Sequence, residues 1–164
     1  MTTNGKAATD GRDVVHDTLV FEREYPFPPA TVFAAWADAG QRIRWHVPGD
    51  DWELVEFDQN FRVGGHERSR FGPKGSPHLR DEGRFLDIVP GQRIVSAGTM
   101  HDHEVRISLT LCTVELAATV AGTRLRLTDQ SAFLERRERP EDRRGGWGRI
   151  LERLGEFLGR GEKR

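Results

Sequence analysis

The sequence predicts an α+β domain: one antiparallel sheet with its helices packed on a single face. Three observations lead there. The elements run strand, two short helices, about six strands, then one long helix. The strand segments alternate apolar and polar residues, as in residues 17–25, where Leu19, Phe21 and Tyr25 share one parity. The last segment carries Trp147, Ile150, Leu151, Leu154, Phe157 and Leu158 at offsets 0, 3, 4, 7, 10 and 11, an apolar stripe at helical spacing.

Each element has its own warrant. Residues 1–13 are polar, with little to bury, and a flexible tail is expected through residue 16, so the domain spans residues 17–160. Pro26, Pro28 and Pro29 end the first strand and favour a helix start. Val32, Phe33, Trp36 and Ala37 then share one helical face in residues 30–39, and Gly40 stops it. A second short helix is expected at residues 41–45, ending before Pro48. Strands follow at 52–57, 66–71, 80–89, 93–100, 104–118 and 123–129, separated by Gly- and Pro-rich turns. In the long strand the apolar parity changes, from Val105, Ile107, Leu109 and Leu111 to Cys112, Val114 and Leu116, which predicts a β-bulge near Leu111-Cys112. Residues 135–144 are polar, and the final helix is expected to open at Gly146-Trp147. Gly148, Gly155 and Gly159 line one edge of that helix, where close backbone approach would offset their helical cost of about 1 kcal/mol each.

Composition narrows the function classes. At 164 residues, with 36% hydrophobic and 31% charged residues, the chain suits one domain with one core. No run approaches the roughly 18 apolar residues of a membrane helix, and no signal peptide is read near Met1, so a soluble cytoplasmic protein without membrane insertion is expected. A net charge of −1 gives little attraction to nucleic acid. The single cysteine, Cys112, excludes an intrachain disulfide and a Cys-based zinc cluster.

A set of motifs in order carries a family resemblance. The segment Phe27-Pro28-Pro29-Ala30-Thr31-Val32-Phe33-Ala34-Ala35-Trp36 resembles the opening of the homologues of the activator of heat-shock protein 90 ATPase. Arg44-Trp45, Phe61-Arg62-Val63-Gly64-Gly65, residues 83–90 (GRFLDIVP), Arg93-Ile94-Val95, Gly122-Thr123-Arg124-Leu125-Arg126-Leu127 and Gly146-Trp147 continue it. Residues 108–115 and 129–134 are similar to one bacterial subgroup. The resemblance covers residues 18–158. It implies the START/Bet v 1 (SRPBCC) helix-grip fold, in which a curved antiparallel sheet of six to seven strands wraps the C-terminal helix and leaves an apolar cavity. Function must still be argued from the site.

The candidate chemistry is sparse. His101-Asp102-His103-Glu104 could offer metal ligands, but it falls where a hairpin turn is expected, so no metal site is expected. His66 and Glu67 are strand neighbours and face opposite ways. Similar proteins carry bulky residues at the parity of Phe71, which puts Glu67, Ser69 and Phe71 inward. An inward Glu67 either anchors a polar group of a ligand or pairs with a buried arginine. The serines lack a nucleophile signature, and Cys112 has no cationic neighbour to activate it. Gly64-Gly65 and Gly145-Gly146 read as turns. Arg136, Arg137, Arg139, Arg143 and Arg144, interleaved with Glu135, Glu138, Glu141 and Asp142, read as a solvated loop.

The cavity remains as the site, with Trp45, Phe71, Phe85, Met100, Trp147, Leu151 and Leu154 as its expected walls beside Glu67 and Ser69. The expected function is binding of a small hydrophobic or amphipathic molecule, with no cofactor and no covalent catalysis. Two rivals are a polyketide cyclase/aromatase-type enzyme using the same cavity and a chaperone-interacting module. Trp147, placed after a Gly145-Gly146 hinge, would offer a ligand an indole face and one N–H donor. The sequence leaves the oligomeric state open, a homodimer included.

Overall fold

The computed structural model describes residues 14–161. Most of the expected tail, residues 1–13, lies outside the described residues, and the first strand starts slightly earlier than expected, at Val15, because Val15 and His16 pair with Phe133 and Ala132. The elements are β1 (Val15–Tyr25), α1 (Pro29–Ala37), α2 (Ala39–Arg42), β2 (Trp52–Gln59), β3 (His66–Pro73), β4 (Leu79–Val89), β5 (Arg93–Asp102), β6 (Val105–Thr119), β7 (Gly122–Phe133) and α3 (Pro140–Arg160). All seven strands pair antiparallel in the order β1-β7-β6-β5-β4-β3-β2, with α1 and α2 inserted between the two edge strands. This is the α+β helix-grip fold, a curved antiparallel sheet with its short helices after the first strand and a long helix at the end.

The core lies between the sheet and the helices. Leu19, Phe21 and Tyr25 of β1, Leu125 and Leu127 of β7, and Val114 and Leu116 of β6 are buried on the inner face against Leu151, Leu154 and Leu158 of α3. The Tyr25 hydroxyl donates to the Leu151 carbonyl at 2.8 Å, tying α3 to the sheet edge. Burial raises the Tyr25 phenol well above its ordinary range and keeps it a donor. Gly155 is the one glycine of the helix edge that meets a close neighbour: a Cβ there would sit 3.2 Å from the Tyr25 ring, whereas Gly148 and Gly159 face open space.

β4 and β5 approach each other closely at one pair of residues. Gly83 and Gly98 oppose each other across β4 and β5, and a Cβ at Gly98 would lie 2.5 Å from the Glu82 carbonyl. Only glycines allow the two backbones this approach. The expected bulge at Leu111-Cys112 is not there; both residues sit in unbroken register with β5 and β7. The irregularity lies lower, where Ser108 opposes Met100 and Arg106 opposes His101, leaving Ile107 as the additional residue. The parity change has a different cause: Leu109 and Leu111 are on the outer face, 42% and 38% exposed, while Ser108 and Thr110 point inward.

The last helix also differs from expectation. It starts at Pro140, with Arg139 and Asp142 capping each other, so part of the expected solvated loop is its first turns. Gly145 and Gly146 are interior helical residues, not a turn. Leu154 is fully buried in the middle of the stripe, so Leu154→Ala should cost about 2–5 kcal/mol of stability. Chemical denaturation with matched m-values measures this, and a loss below about 1 kcal/mol would contradict the packing.

Candidate functional site

Between the inner face of β3 to β6, α2 and the start of α3 lies a cavity of about 190 Å³. A well-packed interior has few voids larger than a water molecule, so this one is a site candidate. Trp36, Phe71, Phe85, Met100, Trp147 and Ile150 form much of its apolar wall, and Arg42, Glu67, Asp81 and Arg143 line it as well.

Glu67, Ser69, Phe71, Phe85, Met100 and Trp147 all stand on this wall, at the parity the sequence implies. Trp45, Leu151 and Leu154 do not: they are fully buried in the core beneath it. Trp45 donates its indole N–H to the Ala35 carbonyl at 3.1 Å and packs edge-on to Trp36, which takes the place on the wall. Leu151 lies further along α3, where the helix packs on β1, and Leu154 lies in the same buried stripe.

Arg143 corrects the solvated-loop reading most sharply. Its guanidinium crosses from α3 to the sheet and is largely buried. It binds Glu138 with Nε and Nη2 at 2.6 and 2.7 Å, Asp129 at 3.1 Å, Thr110 at 3.1 Å and Ser108 at 2.8 Å. Asp129 is wholly buried and also accepts from Ser131 and, at 2.9 Å, from the Trp147 indole N–H. The donor expected to serve a ligand is therefore already committed, and with Gly145-Gly146 inside the helix there is no hinge before Trp147. Burial pulls the Arg143 guanidinium towards neutrality, but Glu138 and Asp129 reverse this and raise its pKa overall.

A second ion pair lines the cavity. Arg42, 5% exposed, donates to Glu67 Oε1 at 3.3 Å and lies over the Trp36 ring at 4.6 Å. Thus Glu67 does pair with a buried arginine, yet its Oε2 is buried without a partner. His46, 3.5 Å from Arg42, is held neutral: burial first and Arg42 second push its pKa well below the ordinary value. Asp81 is the odd member. It sits across from Ser69 on β3 and Met100 on β5, and none of the hydrogen bonds or ion pairs of the described residues involves its carboxyl. Burial, then the charge of Glu67, raise it to about 7, against the opposing pull of Arg143 and Arg42.

The remaining candidates stay apart from the cavity chemistry. Cys112 lines the wall, but burial raises its thiol far above the reactive range. His66 pairs with Asp58 at 2.7 Å on the opposite side of the sheet from Glu67. His101 is the last but one residue of β5, and His103 lies in the hairpin turn, bonded to Asp102 at 2.8 Å and stacked on His78. Among the described residues no three His, Cys, Asp or Glu side chains are arranged to hold a metal ion. Sequence reasoning missed Trp36, Arg42, His46, Asp81, Asp129 and Arg143 as cavity or network residues. Signals existed for two of them: Asp129 continues the inward parity of Leu125 and Leu127, and Arg143 lies one helical turn before Trp147 on the same stripe.

The chain belongs to the family described as Activator of Hsp90 ATPase homolog 1-like protein, which matches it over residues 26–159, within the SRPBCC superfamily. Among solved structures it is similar to a protein from Rhizobium leguminosarum, with 34% identity and a TM-score of 0.83 over 91% of this chain and 98% of that one. It is similar to the Mll3558 protein from Rhizobium loti, with 42% identity and a TM-score of 0.75 over 88% and 99% of the two chains. An AHSA1-like protein from Aeromonas hydrophila shares the fold, at 20% identity and a TM-score of 0.69 over 89% of this chain and 94% of that one. Comparison with curated proteins gives no match.

Two outcomes are expected from this geometry. Arg143→Met strands the buried Asp129 and Glu138, so it should cost about 3–5 kcal/mol, against under about 1 kcal/mol for the exposed Arg137→Met. Equal losses in the two variants would contradict the network. For Asp81 the folded pKa, about 7, lies above the unfolded value near 3.9, so its proton stabilises the fold at low pH and that contribution is lost as pH rises through 7. Asp81→Asn should therefore be more stable than the parent at pH 8, on the order of 2 kcal/mol, with the gain shrinking as pH falls from 7 towards 4. Urea unfolding at several pH values measures it; a pH-independent difference would refute it.

Proposed function

We propose that residues 17–160 act as one ligand-binding domain that holds a small hydrophobic or amphipathic molecule in the cavity between sheet and C-terminal helix, without covalent chemistry, metal or cofactor. The observation that carries this reading is the cavity itself: an apolar chamber of about 190 Å³ with a few polar groups converging on it. An apolar cavity of about 150 Å³ is already large enough to take benzene. Membership of the SRPBCC superfamily supports the same reading. No described helix is long and apolar enough to cross a membrane, and we place the protein in the cytoplasm, without nucleic acid as a partner, on its charge balance.

A second reading has one observation in its favour. Asp81, near pH 7 inside an apolar cavity, suits general acid–base work on a bound substrate, as a cyclase or aromatase would need. Loss of turnover of a candidate substrate in Glu67→Gln or Asp81→Asn, with binding retained, separates that enzyme from a binding protein. Co-purification with a chaperone would instead support a module acting through its surface.

The test of binding is direct. Native mass spectrometry of the purified protein looks for a retained small molecule, and titration with a small neutral naphthalene dye looks for a free cavity. One dye per chain with a blue-shifted emission is expected. Ser69→Phe, which projects a ring into the cavity from β3, should abolish it, and Trp147→Ala should weaken it about tenfold by removing an aromatic wall. Unchanged dye affinity in a folded Ser69→Phe variant would refute the cavity as the site.

A further inference from the structure

The cavity reading above says that a small molecule sits here; the charges on the wall say what kind. Asp81 on β4 is faced by Glu67 on β3, Arg42 on α2, Asp129 on β7, Arg143 on α3 and the thiol of Cys112 on β6. His46, next to Arg42, is neutral, and Glu138 stands on the far side of Arg143. With Asp142, which also lines the cavity, paired to Arg139, the wall and its network hold two further cations, Arg42 and Arg143, against four further carboxylates, Glu67, Asp81, Asp129 and Glu138.

Neither cation bonds Asp81. Arg143 is taken up by Glu138, Asp129, Ser108 and Thr110, while Arg42 gives Glu67 one bond at 3.3 Å and lies on the Trp36 face, its Nε buried without a partner. Glu67 acts on Asp81 more strongly than either arginine does. The Glu67 Oε2 atom is buried without a partner. A buried carboxylate must be neutralised or paired. For Asp81 a proton does this below about pH 7; an occupant can do it better by bringing a cation. We infer that the occupant is an amphipathic amine, its ammonium seated on Asp81 beside Glu67 and its apolar body against Phe71, Phe85, Met100 and Trp147. An anionic molecule would meet the carboxylate excess, against which the described cavity residues offer only one unpartnered guanidinium donor, the Nε of Arg42.

Proton linkage follows. The amine stays protonated to about pH 10, so binding requires the ionised Asp81 and releases its proton where that carboxyl is protonated in the free protein. Affinity for an amine therefore rises with pH up to about 7 and then levels off.

The inference rests on the cavity reading, and one experiment separates the two. Calorimetric titration of the full chain in about 0.15 M salt, to screen surface attraction, compares 2-phenylethylamine, 2-phenylethanol and phenylacetate at pH 8 and pH 6. The expected result is an amine bound about tenfold or more tighter than the alcohol at pH 8, phenylacetate weakest, and the amine's advantage reduced at pH 6. Asp81→Asn should bring the amine down to the level of the alcohol and leave the alcohol's affinity within about twofold. Equal affinities of amine and alcohol at pH 8, an advantage independent of pH, or an amine unaffected by Asp81→Asn would each overturn the inference while leaving the cavity as a binding site. No binding of any of the three would refute the cavity reading itself.

Discussion

The buried guanidinium of Arg143 is the contact on which the rest of this structure depends. Removing such an ion from water costs several kcal/mol, and only good partners on every side offset it. Here the partners come from three places: Glu138 just before α3, Asp129 on β7, and Ser108 with Thr110 on β6. The start of α3 is thereby tied to β7 and β6, the two strands next to the β1 edge of the sheet. Asp129, held by Arg143 and Ser131, then accepts the Trp147 indole N–H and sets that ring against Trp36 and His46, at 6.4 and 5.9 Å between centroids. The aromatic side of the cavity is thus oriented by an ion network whose Arg143, Glu138 and Thr110 themselves line it.

The second cluster differs in kind. Arg42 has one carboxylate, Glu67, and otherwise spreads its charge over aromatic faces, at 4.6 Å from Trp36 and 5.4 Å from Trp45. One arginine with one carboxylate leaves no cation for the next acid along the wall. Asp81 is that acid, and its pKa is raised by burial first and by the charge of Glu67 second, more than the two arginines lower it. Perturbed groups of this sort gather at functional sites because nothing in folding alone requires them. At neutral pH an asparagine would fill the same space without the ionisation cost.

The fold was legible in the sequence because apolar period and parity report burial directly. The alternation of Leu19, Phe21 and Tyr25 and the stripe from Trp147 to Leu158 both end up in or against the core. The inward set Glu67, Ser69 and Phe71 was legible through the resemblance, because similar proteins carry bulky residues at the parity of Phe71. Most of the failures share a physical origin: patterning treats polar and charged residues as solvent-facing. Arg143 sat among alternating charges, so its pairing with Asp129 and Glu138 could not be seen until tertiary structure joined a helix to two strands. The same blindness misplaced the bulge, since inward Ser108 and Thr110 looked like an outer face. Trp45 was misassigned because hydrophobicity does not distinguish a wall from the layer beneath it; the Ala35 carbonyl that takes its N–H decides the matter.

What separates this cavity from a plain apolar hole is that affinity and selection come from different atoms. Phe71, Phe85, Met100 and Trp147 offer contact to any small apolar body, and such contact rises with area with little regard to identity. Discrimination needs a difference between ligands, which an unpaired buried charge supplies by rejection as much as by attraction. With Arg143 committed and Arg42 keeping only its Nε unpartnered, an anion gains little against the carboxylate excess, and a neutral molecule leaves that excess as it was. The low dielectric that makes Asp81 costly to ionise also magnifies its attraction for a cation once one has entered. The charge that burdens the empty domain is therefore the same charge that would choose its ligand.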